Sequence, residues 1–157
     1  MKHRMIWMAM VIALGAGLAA CAPDAWVKSR LGVERDITDF GPGFEPPLSA
    51  ETGAPVHGFG GNGGGVRRTP LIIVHGTTGS TKYFGPMRDY FRELGYTDDE
   101  IWAVGYGWGS AAYWDTTPPS SITLDRFVNA VLAYLSKKEG RPIREVDMIG
   151  HSLGVMV

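Results

Sequence analysis

"VDMIGHSLGVMV", residues 146–157, closes the sequence and governs how the rest is read. A short, mostly apolar run, Val146 to Ile149, leads into Gly150-His151-Ser152-Leu153-Gly154. The pattern G-x-S-x-G is weak alone, because with 22 glycines in 157 residues chance supplies it about 0.15 times. Its setting is more specific. An apolar strand before it, and residues able to start a helix after it, put Ser152 on a sharp strand-to-helix turn. Strained backbone there would lift the hydroxyl above a sheet. The glycines two before and two after the serine fit neighbouring backbone so close that a Cβ would clash. A plain serine turn with no chemistry is the structural alternative.

Upstream, the pattern of buried strands and amphipathic helices repeats. "EVDMIG" (145–150) reads as a strand, preceded by a helix over about 123–138. Leu124, Phe127, Val128, Val131, Leu132 and Leu135 form its apolar stripe. Asp125 and Lys137-Lys138 lie at the ends the helix dipole favours, and Gly140 and Pro142 stop it. "IWAVGY" (101–106) and "LIIVHG" (71–76) are continuous apolar runs, as strands buried on both faces should be. Between them a helix is predicted over about 86–94, with Met87, Tyr90, Phe91 and Leu94 on one stripe and Gly95 as its stop. Strand, helix, strand, helix, strand implies an α/β fold: a parallel sheet with flanking helices joined by right-handed crossovers.

The first third of the chain differs. "GPGFEPP" (41–47) and "GFGGNGGG" (58–65) show no sustained period. Residues 21–69 therefore read as an irregular Gly/Pro-rich spacer, or as an ordered loop apron anchored by Phe40, Phe44 and Phe59. Residues 1–20 read as a targeting segment. Lys2, His3 and Arg4 precede an apolar run of about thirteen residues, Ile6 to Leu18, shorter than the roughly 20 that span a bilayer. Leu18-Ala19-Ala20-Cys21 resembles a bacterial lipobox, which implies a lipid anchor on Cys21; Ala22 after it implies the outer membrane. The expected location is the bacterial cell envelope, as a secreted lipoprotein. An ordinary signal peptide with an incidental cysteine, or an uncleaved anchor helix, are the alternatives. Cys21 is the one cysteine, so no intramolecular disulfide forms. Net charge is −1, and no basic stripe suggests a nucleic-acid partner.

His75-Gly76-Thr77, at the end of the first long strand, is the second element of chemistry. Acyl transfer develops a negative oxygen, which two pre-aimed backbone N–H groups must hold. Leu153, following the serine, supplies one; Thr77, by position, the other. His75 reads as a hydrogen-bonded loop support, with a catalytic base as the other reading. His151 is expected to turn its ring inward, and His57 has no evident partner.

"PLIIVHGTTGS" (70–80), "YFRELGYTDDEIWAVGYGWGS" (90–110) and "VDMIGHSLGV" (146–155) resemble the α/β-hydrolases grouped as class 2 lipases, and lipase-like extracellular polyhydroxyalkanoate depolymerases. Gly58 to Gly61 is also similar to a depolymerase segment. The resemblance covers about residues 58–157. It implies an ester hydrolase with a serine, acid and histidine triad, no cofactor and no metal. Ser152 would be the nucleophile, Thr77 and Leu153 the oxyanion donors, with His75, Gly76, Gly150, His151 and Gly154 supporting the motif. The depolymerases carry Asn and Asp where this chain has Thr77, Thr78 and Gly79, so the resemblance leaves polyester specificity open.

The order serine, acid, histidine implies that both partners lie beyond Val157. The expectation is therefore the N-terminal part of an α/β-hydrolase, truncated just after the nucleophile elbow, with residues 70–157 a partial domain. Such a chain would be inactive by itself and would leave the serine strand with an unpaired apolar edge. Expected partners are an ester substrate (lipid, short-chain ester or polyester) and a membrane reached through the lipidated N-terminus. Trp108, Tyr113, Trp114, Tyr83 and Phe84 could line a substrate groove or pack against the rest of the domain. The reading from another class is a non-catalytic envelope lipoprotein that kept the fold as a binding or scaffold module.

Overall fold

The structure is a computed structural model that describes residues 4–5, 37–76, 81–105, 118–155 and 157. Its centre is the run the sequence marks as apolar on both faces. Strand β4 (Leu71–Val74) pairs parallel with β5 (Ile101–Gly105) on one side and with β6 (Asp147–Gly150) on the other. Side chains alternate across a strand, and here the alternation sorts two cores. Ile72 and Val74 face one cluster with Val104, Phe127, Val131 and Leu135; Leu71 and Ile73 face another with Phe59, Phe84 and Ile101.

Helix α1 (Gly85–Glu93) contributes Met87 and Phe91 to the second cluster, whereas α2 (Pro118–Glu139) covers the first. The predicted α1 stripe is too wide: Tyr90 and Leu94 are exposed. Gly95 does stop α1. At φ 84° it donates its N–H to Arg92 O at 2.9 Å, the left-handed exit glycine permits. Helix α2 begins five residues before the predicted start, because Pro118 and Pro119 fall in the first turn, where a missing N–H is harmless.

With β1 (Arg4–Met5), β2 (Thr38–Phe40) and β3 (His57–Gly60), the sheet order is β1-β6-β4-β5-β3-β2. The stretch that could be read as irregular is partly strand: β2 (Thr38–Phe40) pairs parallel with β3 (His57–Gly60), which runs antiparallel to β5. A mostly parallel sheet thus carries an antiparallel flank. Phe44 is buried and Phe40 partly so, in a cage of rings around Trp102 completed by Phe127 and Tyr134, while Phe59 is buried in the second cluster on the opposite face. The lack of side-chain periodicity has a cause: a Cβ on Gly60 would overlap the Trp102 ring. Strand β1 (Arg4–Met5) lies beside Asp147 and Met148. It covers half of the β6 edge, and Ile149 and Gly150 have no strand on that side among the described residues.

Two adjacent buried carboxylates fasten the glycine-rich loop. Asp99 accepts N–H bonds from Gly63 and Gly65 at 3.2 and 2.9 Å and a 2.7 Å contact from Lys138 Nζ. Burial alone would pull the Lys138 ammonium down, but the hydrogen bond and charge of Asp99 outweigh it and raise its pKa. Glu100 Oε1 accepts the N–H groups of Arg67 and Arg68, both at 2.6 Å, and Oε2 that of Thr97 at 2.9 Å. Glu100→Gln turns a donor toward these donors. It is expected to destabilise the fold by about 3 kcal/mol, read as a lowered urea midpoint with unchanged slope.

Asp98, by contrast, sets an acid limit. The Arg92 hydrogen bond holds its carboxyl below its ordinary 3.8, against a smaller upward push from partial burial, with Arg88 adding to the lowering. A folded-state pKa below the unfolded one gives stability that is complete above about pH 4 and is lost as pH falls through the lowered value. Between pH 5 and 3 the wild type should therefore lose more Tm than Asp98→Asn does.

Candidate active site

Parallel strands pointing the same way bring the two chemical motifs together. Val74 and Gly150 are register partners at the ends of β4 and β6, so His75-Gly76 and His151-Ser152 leave the sheet side by side. The chain runs from β4 through α1 to β5, then back through α2 to β6 on the far side of β4. This reversal makes the mouth between β4 and β6 the switch point where doubly wound sheets gather ligands.

The turn is held by main-chain bonds. His151 N–H donates to Val74 O at 2.9 Å, and Gly154 N–H to His151 O at 3.0 Å. Ser152 opens a 3-10 turn (Ser152–Val155) with φ at 55°, the one positive φ on a non-glycine among the described residues. Left-handed backbone on a residue with a Cβ costs of order 1–3 kcal/mol and persists where surroundings force it. Two glycines do the forcing. A Cβ on Gly150 would sit 2.7 Å from Gly154 O, and one on Gly154 would sit 2.6 Å from Val74 O and closer still to His75 O. The turn is therefore pressed against the end of β4, and Ser152 is exposed above it.

His75 is 2% exposed, and its Nδ1–H donates to its neighbour's carbonyl, Gly76 O, at 2.8 Å. That bond orients the β4 loop. His151 departs from expectation: its ring is exposed rather than turned inward, and its backbone N–H makes the useful contact. His57 has a partner the sequence did not disclose, Thr38 Oγ1 at 2.8 Å. It lies on β3, three strand spacings from β6, or roughly 14 Å.

Leu153 lies in the serine turn, with its backbone described. Thr77, Cys21, Trp108, Tyr113 and Trp114 lie outside the described residues. Of the two aromatics after the β4 loop, Phe84 is buried in the second core and Tyr83 is exposed. Among the described residues no three His, Cys, Asp or Glu side chains are grouped to hold a metal ion. The feature missed from sequence is the clamp from His151 N–H to Val74 O. A main-chain bond leaves no residue-type signal; the paired motif positions were its only trace.

A half-buried strand leading to the serine turn, a tightly turned exposed serine and an adjacent glycine-containing loop make a site able to present one hydroxyl beside oriented amides. A family model described as lipase (class 2) matches residues 68–157, more than half the chain and a span that includes both the β4 loop and the serine turn.

Proposed function

The chain belongs to the class 2 lipase family, and from that premise we propose that it hydrolyses carboxylic esters with Ser152 as nucleophile. The observation that carries this is the forced left-handed turn at Ser152, pressed by Gly154 against the end of β4. The Ser152 oxygen attacks the ester carbonyl carbon while its proton passes to a histidine base. The resulting oxyanion is held by the N–H groups of Leu153 and Thr77. The alcohol departs with that proton, and water then releases the acid from the acyl-serine.

The described histidines do not supply the base. His57 is too distant, His75 is buried in loop support, and His151 adjoins the serine within its own turn. The base and its carboxylate partner accordingly lie outside the described residues. Lipidation of Cys21 would tether the enzyme in the cell envelope; the small residues before that cysteine support this.

A fluorophosphonate probe on the protein in its longest reading frame tests the proposal, since a serine reacts with it only when activated. Mass spectrometry should find the adduct on Ser152. A protein that folds and stays unlabelled, or labels elsewhere, would overturn the assignment.

A further inference from the structure

At the opposite end of the sheet from Ser152, two segments enter their strands side by side. Residues 66–70 run into β4 and residues 141–145 into β6. Between them is a cleft of about 480 Å³ lined by Arg67, Arg68, Arg141 and Arg144, with Glu145 the one acid in its wall. Four arginines line one cleft, and the guanidinium groups of two are already held in place. Arg68 Nη1 donates to Gly95 O, stacks over the Tyr96 ring at 4.8 Å and lies 3.8 Å from Glu100. Arg141 Nη2 donates to Val66 O at 2.6 Å. Each keeps further N–H groups beyond these bonds, because a guanidinium carries five. The loop that presents Arg67 and Arg68 is itself pinned, through both backbone N–H groups, by the buried Glu100.

We propose that this cleft is an anion site for a phosphate group. A fork of N–H donors matches the oxygens of phosphate two at a time. Several forks around one cleft suit a group with three or more oxygens and more than one negative charge better than a lone carboxylate. The facing acids do not cancel the charge. Glu100 is paired with Arg68 alone, Glu145 is left against the other three arginines, and Glu139 spends one oxygen on the Val66 N–H at 3.2 Å. The site is separate from the chemistry proposed for Ser152 and stands whether or not that holds.

The phosphate could belong to a soluble ligand or to a lipid headgroup, and one experiment separates these. The protein in its longest reading frame is titrated with inorganic phosphate and pyrophosphate by calorimetry. In parallel it is sedimented with phosphatidylglycerol-containing or pure phosphatidylcholine vesicles. Binding in the first arm assigns a soluble phosphate; binding only to phosphatidylglycerol vesicles assigns a headgroup. In either case Arg67→Gln with Arg144→Gln, both exposed, should weaken binding about tenfold or more. Lys137→Gln, an exposed charge outside the cleft, should leave it within about twofold, and added salt should weaken it. Arg144→Gln alone, the mildest change, should give a smaller loss in the same direction. No binding in either arm, or a double variant that keeps its fold by circular dichroism and binds like wild type, overturns the proposal.

Discussion

Ser152→Gly is expected to abolish ester hydrolysis and yet make the protein harder to unfold. Losing the nucleophile of a triad enzyme lowers turnover by about 10⁴-fold or more. The backbone at 152 sits at φ 55°, a strain of order 1–3 kcal/mol for a residue with a Cβ. Glycine removes that strain and gives back about 0.5–1 kcal/mol through its freer unfolded chain, for a net gain of about 1 kcal/mol. Turnover of a short-chain p-nitrophenyl ester and a urea melt of the same sample measure both. A variant that lost stability together with activity would show that the turn is not strained.

Gly154→Ala should do the reverse and break the fold around the site. The added methyl would meet two carbonyl oxygens, Val74 O at 2.6 Å and His75 O, and both belong to β4 or its loop. No flexible side chain can yield there, so the turn must back away from the strand. Overpacking of this kind costs about 3 kcal/mol or more, and the displaced loop should carry activity down with it. Gly85→Ala is the control: nothing lies within 4 Å of its Cβ position, and a helical glycine replaced by alanine is neutral or gains up to about 1 kcal/mol. Equal melting of Gly154→Ala and wild type would contradict the close approach.

How far the sequence foretold this depends on where side chains report burial. The runs at 71–74 and 101–105 are legible because strands covered on both faces must be apolar throughout, and α2 because one side of it fills the larger core. The antiparallel flank was not legible. In β3 Gly60 leaves room for the Trp102 ring and Gly58 for that of Phe40, so the alternation that announces a strand is missing. Asp99 and Glu100 carry no local sign of burial, although both are fully buried to hold the loop at 61–68. Their role depends on a segment more than thirty residues upstream, which no local pattern conveys. At the site, spacing revealed the serine turn and its β4 neighbour. The outward setting of His151 escaped notice because it depends on the turn's three-dimensional path.

The central claim is that residue 152 carries an activated hydroxyl beside two amides contributed by separate loops. A crystal structure of the full-reading-frame protein after reaction with a phosphonate ester tests it most directly. The account predicts phosphorus bonded to Ser152 Oγ, with its free oxygen about 2.7–3.1 Å from the backbone nitrogens of both Leu153 and Thr77. Phosphorus on another residue, or an oxygen reached by neither amide, would contradict it.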